Sequence, residues 1–444
     1  MIVSTTPTLT TKTAADQGVT LALLGDLFGP ASERPFALRL WDGTVEGPDH
    51  KPRFTLVLNR PGALRRMLLP PTDLALGEAY LRDDFDVEGD LERATELSDV
   101  LAARLRSPAL LARLARRLRK LPADDAPGKA GAPGRLRGRL HSRKRDAAAV
   151  RSHYDVGNEF YALWLDERMV YSCAYFETGE EGIHAAQEAK LDLICRKLRL
   201  APGESLLDIG CGWGSLVLHA AGRYGVRATG ITLSERQATL ARARIAEAGL
   251  ADRCRVEVRD YRDLPREAVF DKVVSVGMFE HVGRARLPTY FSQAYRLTHP
   301  GGLFLNHGIV TLPSRPAPLR MLERPLSRRT SFIQRYVFPD GELVPPADVL
   351  RLAEAAGFET RDLESLREHY ALTLRRWVER LEEHYVEAAR MAGETTYRVW
   401  RLYMSGSARA FATARIGVIQ TLFSRNDGAG LGKLPLTRND VYQL

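Results

Sequence analysis

Residues 204–214 read ESLLDIGCGWG, and their reading decides the fold. A short apolar run ends in Asp208, a turn carries glycine at 210, 212 and 214, and SLVLHAAGRYG follows with helical spacing. Such a strand-to-helix turn needs glycines because side chains would block both the turn and a ligand's close approach. Alone, the stretch implies a Rossmann-like nucleotide pocket and no more. Its spacing is GxGxG where dinucleotide sites carry GxGxxG, and the second strand ends in GITLS, with Thr232 and Ser234 but no acid for a ribose. NAD thus loses its usual second contact, and the chain has no GK[ST] to suggest a phosphate-cradling P-loop.

Downstream, VRATGITL, RVEVRDY, FDKVVSVGMF and GGLFLNHGIV are apolar strands separated by helical stretches. That βα alternation predicts a doubly wound, mostly parallel sheet. Ligands of such sheets bind beyond the carboxyl ends of the strands, where Asp208, the GITLS turn, Asp260-Tyr261 and Glu280-His281 all fall. A purely structural role would not place polar residues at four successive strand tips. The expected fold is α/β, a Rossmann-like class I methyltransferase using S-adenosylmethionine (SAM), preceded by a smaller α+β domain.

The chain has 444 residues, 45% hydrophobic and 27% charged, enough to bury large cores. At ~150 residues per domain it divides into two or three, and a disordered chain is excluded by composition. Four scattered cysteines (173, 195, 211, 254) form no CxxC pair, which fits a reduced, cytosolic protein. No apolar run is long enough to span a bilayer and no secretory leader is visible. The net charge of +9 resides in residues 101–145, which hold 14 Lys/Arg and two acids. Within them, Ser107-Pro108 caps ALLARLARRLRKL, whose Leu110, Leu111, Leu114, Leu118 and Leu121 share an arc of about 100° opposite Arg113, Arg116, Arg117, Arg119 and Lys120. This is a basic amphipathic helix, read as a surface helix packed on its own domain, as a membrane-surface anchor, or as a contact for nucleic acid or another partner. The Pro/Gly/Arg-rich residues 122–147 read as a flexible linker. Upstream, FALRLWDGTVEG and RFTLVLNRPGALRRMLL alternate like strands, whereas LALGEAYLRDDFDVEGDLERATELSDVL reads as helical. The domain plan is 1–121 for lipid binding or positioning, the linker 122–147, and a catalytic domain 148–444 with an insertion at about 312–346.

HYDVGNEFYALWLDERMVYSCAYF (153–176), LLDIGCGWGS (206–215), GITLSERQ (230–237), SVGMFEHVG (275–283), NHGI (306–309), FIQRYVFPDGEL (332–343) and HYALTLRRW (369–377) occur in this order. Together they resemble the cyclopropane-fatty-acyl-phospholipid synthases and the related mycolic acid cyclopropane synthases. The resemblance implies transfer of a methyl group from SAM to the cis double bond of an acyl chain, through a carbocation that loses a proton as the ring closes. In that family a bound bicarbonate serves as the base. The positions matching its site are Cys173 (through its main-chain carbonyl), Glu280, His307, Ile309 and Tyr370. For SAM, the resemblance implies Asp208, Gly210 and Gly212 at the methionine end and Thr232, Leu233 and Gln237 around ribose and adenosine. Tyr171 and Ser172 would close over the cofactor, with Asp260 and Tyr261 at the adenine, where an aromatic ring can stack. No metal is implied.

Each position also has a plainer reading. Glu280 and His281 could cap a helix, His307 could be a satisfied core residue, Tyr370 could be helix packing, and Cys173 has no base in the sequence to activate its thiol. One departure stands out: the fifth strand tip reads His307-Gly308-Ile309 where the cyclopropane synthases usually carry HTI. Methylene- or methyl-branch formation on the acyl chain is therefore the alternative outcome. The expected partners are unsaturated phospholipid acyl chains at the membrane surface, met by a cytoplasmic protein on the inner leaflet. The basic helix and the segment RMLERPLSRRTSFIQRYVFPDGELVPP would serve as lipid contacts. The resemblance suggests a homodimer. The rivals are a soluble small-molecule or RNA methyltransferase and a non-enzymatic lipid-binding scaffold. The basic segment lacks the interleaved aromatics that base stacking would need, so no nucleic-acid partner is expected.

Overall fold

Alternation along the strand that ends at Asp208 sets the layers. In β5 (Ser205–Ile209), Leu206 packs into one hydrophobic core and Leu207 and Ile209 into another, because both faces of the sheet are covered by helices. The computed structural model describes residues 11–104, 107–123, 138–154, 156–265, 267, 269–312, 331–428 and 434–442. They fall into two compact units, one drawn from 1–133, 320–337 and 393–409, the other from 134–319, 338–392 and 410–444.

The second unit holds a seven-stranded sheet. Its strands are β5, β6 (Arg227–Thr232), β7 (Cys254–Val258), β8 (Phe270–Val276), β9 (Thr298–Thr311), β10 (Glu359–Ser365) and β11 (Ile416–Ser424), in the order β10-β11-β9-β8-β5-β6-β7. Pairing is parallel from β9 through β7, and β11 runs antiparallel to both its neighbours. The order reverses at β5, so a crevice opens beyond its carboxyl end. Helices Ile183–Lys197, Ser215–Tyr224 and Glu235–Glu247 cover one face, and Leu287–Leu297 and Pro346–Ala355 the other. This is the expected α/β architecture.

The first unit carries a four-stranded sheet ordered β2-β1-β3-β4, from β1 (Ala37–Arg39), β2 (Val45–Glu46), β3 (Phe54–Leu58) and β4 (Phe85–Gly89). Two local expectations are corrected here. The stretch read as helical stops at Leu81: Asp83 adopts φ 57°, and Phe85 and Val87 then alternate inward as β4, pairing with β3. The buried Asp84 carboxylate at that break takes two 2.7 Å hydrogen bonds from Arg66. Conversely, Ala63–Leu68 is helical, burying Leu64, Met67 and Leu68.

The basic helix forms at Pro108–Leu118, with Ser107 Oγ accepting from the Leu110 N–H. Leu110, Leu114, Leu118 and Leu121 are buried in the first unit's own core, so the leucines are not available for insertion into a bilayer. Arg113 and Arg117 lie against Asp26, while Arg116, Arg119 and Lys120 are exposed. The helix Arg143–Tyr154 begins inside the stretch read as a linker, because Arg145 forms a bidentate pair with Asp340 (2.5 and 2.9 Å). Residues 124–137 lie outside the described residues, as do 313–330 of the expected acyl-chain insertion. The part of that insertion described as helix Phe332–Tyr336 packs in the first unit. The Phe332 ring fills the space over Gly77, its N–H donates to Asp73, and Tyr336 donates to Glu78 (both 3.1 Å).

Candidate functional site

The crevice beyond β5 is a cavity floored by the glycine turn. Gly210 and Gly214 adopt φ 87° and 83°, and a Cβ on Gly210 would come within 2.8 Å of Met278, so neither conformation nor space admits a side chain there. All ten residues expected around the cofactor line this one cavity: Tyr171, Ser172, Asp208, Gly210, Gly212, Thr232, Leu233, Gln237, Asp260 and Tyr261.

The Asp208 carboxyl is buried, and its Oδ1 has no hydrogen-bond partner among the described residues. Burial pushes it up to about 7, with Lys190 pulling against the shift. Lys190 lies on the same cavity and donates to Ser172 Oγ at 2.9 Å. Burial draws its ammonium down to about 8, opposed by Asp166, Cys173 and Asp208. At the second strand tip Thr232 Oγ1 donates to Gln237 Oε1 (2.8 Å), and Ser234 caps the following helix. At the third, Asp260 is clamped by Arg262 (2.8 and 2.5 Å), which also reaches Asp146 at 3.1 Å. Tyr261 packs edge-on against Tyr290.

None of Cys173, Glu280, His307, Ile309 and Tyr370 lines that cavity, but backbone contacts link four of them. The Ile309 N–H donates to Glu280 Oε1 at 2.7 Å, and Ile309 pairs across the sheet with Val418. The Val418 carbonyl accepts from the Leu366 N–H, and the Leu366 carbonyl accepts from both the Tyr370 N–H (3.1 Å) and the Cys173 thiol (3.6 Å). His307 stands two residues before Ile309 on β9, its ring Nδ1 3.1 Å from Gln420 Nε2. Two polar atoms in this group are buried with no partner among the described residues: Glu280 Oε2 and His307 Nε2. Burial raises the Glu280 carboxyl to about 7. His307 is held neutral by burial and by the ammonium groups of Lys190 and Lys197. The Cys173 thiol is fully buried and its pKa is pushed up, so it is no thiolate nucleophile. The space a Thr would need at Gly308 is filled by the Phe279 ring, 1.9 Å from where its Cβ would lie.

His281, expected at the fourth strand tip, lines the cavity, whereas sequence reasoning passed over Tyr154, Lys190, Trp213 and Arg262, which line it too. For Lys190 a signal existed: a lysine on the same helical face as Leu191 and Ile194 is a buried charge. Tyr154 and Trp213 stood within stretches already quoted. Arg262 had no local signal.

The mycolic acid cyclopropane synthetase family model matches residues 141–421. The chain belongs to this family. Its members are cyclopropane fatty acid and mycolic acid synthases that use SAM, so the chain is a SAM-dependent methyltransferase of that family. A second model, of a domain of unknown function, matches residues 23–100. A protein of Pseudomonas putida named probable fatty acid methyltransferase is 40% identical, covering 92% of this chain and 96% of its own. The cyclopropane-fatty-acyl-phospholipid synthase of Escherichia coli is 36% identical, over 66% of this chain and 72% of its own. Among solved structures, mycolic acid cyclopropane synthase CmaA1, complexed with SAH and CTAB, superposes with a TM-score of 0.58. It is 36% identical and covers 62% of this chain and 97% of that one.

Proposed function

We propose that this family member converts the cis double bond of unsaturated phospholipid acyl chains into a cyclopropane, taking the carbon from SAM. The alkene π pair attacks the sulfonium methyl, the S–C bonding pair leaves on sulfur as S-adenosylhomocysteine, and a C–H pair of the new methyl closes the ring as its proton departs. An alkene is a weak nucleophile, so holding it in near-attack contact with the methyl group is the main task of the protein.

The observation that carries the reading is the pair of unspent buried atoms, Glu280 Oε2 and His307 Nε2, near the cofactor cavity. Buried polar atoms are normally satisfied, so two orphans on residues joined through β9, where the Ile309 N–H holds Glu280 and His307 stands two residues earlier, fit a small polar ligand. Bicarbonate fits: a neutral His307 can donate from Nε2, and Glu280, held near 7, can donate or accept. Bound there, bicarbonate would supply the base for the departing proton. The chain's own residues would hold it through the Cys173 carbonyl, the Ile309 backbone and Tyr370 as well. Around the cofactor, Asp208 takes the ammonium of the methionine end, Tyr171 and Ser172 close over it, and Thr232, Leu233, Gln237, Asp260 and Tyr261 receive the adenosine.

Gly308 supports a second reading, the methylene- or methyl-branch product. With Phe279 in place of a Thr side chain, the environment next to the proposed base differs from the HTI pattern. The test is incubation with SAM, bicarbonate and liposomes of monounsaturated phosphatidylglycerol, followed by mass spectrometry and proton NMR of the released chains. Addition of a CH2 mass with upfield ring protons is the expected result; vinylidene protons would select the branch product. No mass gain in protein that binds SAM would remove lipid as the substrate. Attachment to the inner leaflet rests on exposed Arg116, Arg119 and Lys120 alone, and flotation independent of anionic lipid would exclude it.

A further inference from the structure

The register of three strands places Glu364 of β10, Gln420 of β11 and His307 of β9 in one cross-sheet row, each directly opposite the next. Side chains so paired share a face and touch. Lys197, the last residue of helix Ile183–Lys197, caps the row: its ammonium bonds Glu364 and donates to Gln420 Oε1 at 2.7 Å. Both Lys197 and Gln420 are buried (2% and 1% exposed). Gln420 Nε2 then lies 3.1 Å from His307 Nδ1.

Donor and acceptor counting leaves one arrangement. An ammonium has no acceptor, so the Gln420 oxygen must face Lys197 and its NH2 must face His307. An amide NH2 can only donate, so His307 Nδ1 must accept and carry no proton. The ring proton then sits on Nε2, the atom with no partner among the described residues. We infer that Lys197 and Gln420 are positioning residues that fix His307 as the Nε2–H tautomer, aiming a hydrogen-bond donor at the anion proposed for this pocket. The row costs two buried polar side chains and a buried ammonium, only its Glu364 end reaching solvent, which a merely structural contact between β9 and β11 would not require. A histidine held in the wrong tautomer keeps its place and loses its function.

The inference rests on the bicarbonate reading for its purpose but not for its geometry, and the experiment separates the two. The full-length protein, labelled with 15N, is observed by long-range 15N–1H correlation of the imidazole rings, with His307 assigned by its loss in His307→Gln. The expected wild-type pattern is Nε2–H. Gln420→Glu replaces the donor by an acceptor and is expected to place a proton on Nδ1. Lys197→Met frees the amide to turn and is expected to give mixed tautomers, with the KM for bicarbonate rising about tenfold while SAM affinity, measured by calorimetry, confirms folding. An Nδ1–H pattern in wild type, or an Nε2–H pattern unchanged in both variants, overturns the inference even if activity depends on bicarbonate. The expected tautomers in an enzyme indifferent to bicarbonate would instead uphold Lys197 and Gln420 as tautomer-setting residues and overturn the choice of anion.

Discussion

The two ends of the ligand edge of the sheet are built from different materials. At β5, β6 and β7 the pocket is made by glycine backbone, aromatic rings and polar groups most of which satisfy one another, such as Thr232 with Gln237 and Asp260 with Arg262, with Asp208 Oδ1 left over for a ligand. At β8, β9 and β11 the proposed anion site is made by buried side chains, two of which keep an atom unspent, and cross-strand register positions them. A backbone-built pocket shares its binding over many contacts and loses little with any one side chain. A pocket that depends on two orphaned atoms concentrates its function in them. The contrast predicts large, separable losses at the second end and graded losses of affinity at the first.

The largest expected effect is on turnover. Glu280→Ala removes a group in contact with the proposed base and is expected to lower kcat by about a thousandfold, with SAM affinity within about twofold of wild type. Equal losses in both, read from single-turnover rates and calorimetry, would mean that the two ends form one pocket.

Next is a stability effect of opposite sign. Glu280 has a folded pKa of about 7 against an ordinary 4.5, because burial disfavours its charge. Between those values the unfolded chain has lost a proton that the folded chain keeps, so stability falls as pH rises through about 4.5 to 7 and stays lowered above. Glu280→Gln removes that penalty. The variant is expected to melt above wild type at pH 8, by at most about 3 kcal/mol, with the advantage gone near pH 4.5. Asp208, also raised to about 7, and His281, lowered to about 4, titrate in both proteins and cancel in the difference. A variant no more stable than wild type at pH 8 would show that the carboxylate has partners in solution, ending the contrast between the two pockets.

At the first end, Lys190→Met is expected to raise the KM for SAM about tenfold with a smaller change in kcat. Lys190 is buried on the cavity wall with Ser172 Oγ as its hydrogen-bond partner, and among the described residues no carboxylate forms an ion pair with it. In the proposed complex the carboxylate of SAM would supply a close countercharge. A fall in kcat at unchanged KM would move Lys190 from the first pocket to the second.

The same contrast explains what the sequence revealed. The glycine turn, the strand tips and the sheet class were legible because each is local: Asp208 and Gly210 are two residues apart, and βα alternation repeats along the chain. Lys197, Gln420 and Glu364 were not, because only β10-β11-β9 register brings together residues 56 to 223 positions apart. In the first unit, β4 was read as helix because the two-residue break at Asp83-Asp84 depends on Arg60 and Arg66, 24 and 18 positions from Asp84, which periodicity does not register. The leucine stripe of Pro108–Leu118 had two readings from periodicity alone, which cannot say what covers an apolar face. Packing decided for the protein's own core.

The smallest expected effect probes how the first pocket is roofed. The helix Arg143–Tyr154 contributes Asp146 and Tyr154 to the cavity wall, and its first turns are held by Arg145 on Asp340, Asp146 on Arg262 and Arg143 on Asp263 (2.7 Å). The Arg145–Asp340 pair is bidentate and only partly exposed, the geometry in which an ion pair repays its ordering cost. Arg145→Ala removes one of three ties, so the helix should open more often without losing its place. The off-rate of SAM is expected to rise about threefold, corresponding to about 0.7 kcal/mol, with kcat unchanged at saturating SAM. Asp340→Asn should have a smaller effect in the same direction, and the double variant should lose no more than Arg145→Ala, which also removes a 2.9 Å bond to the Gly138 carbonyl. Additive losses would show that Arg145 and Asp340 hold different things. A kcat loss in either would mean that closing this helix also shapes the second pocket, through the Asp340 loop that precedes Glu342 and its backbone bond to the Glu280 carbonyl.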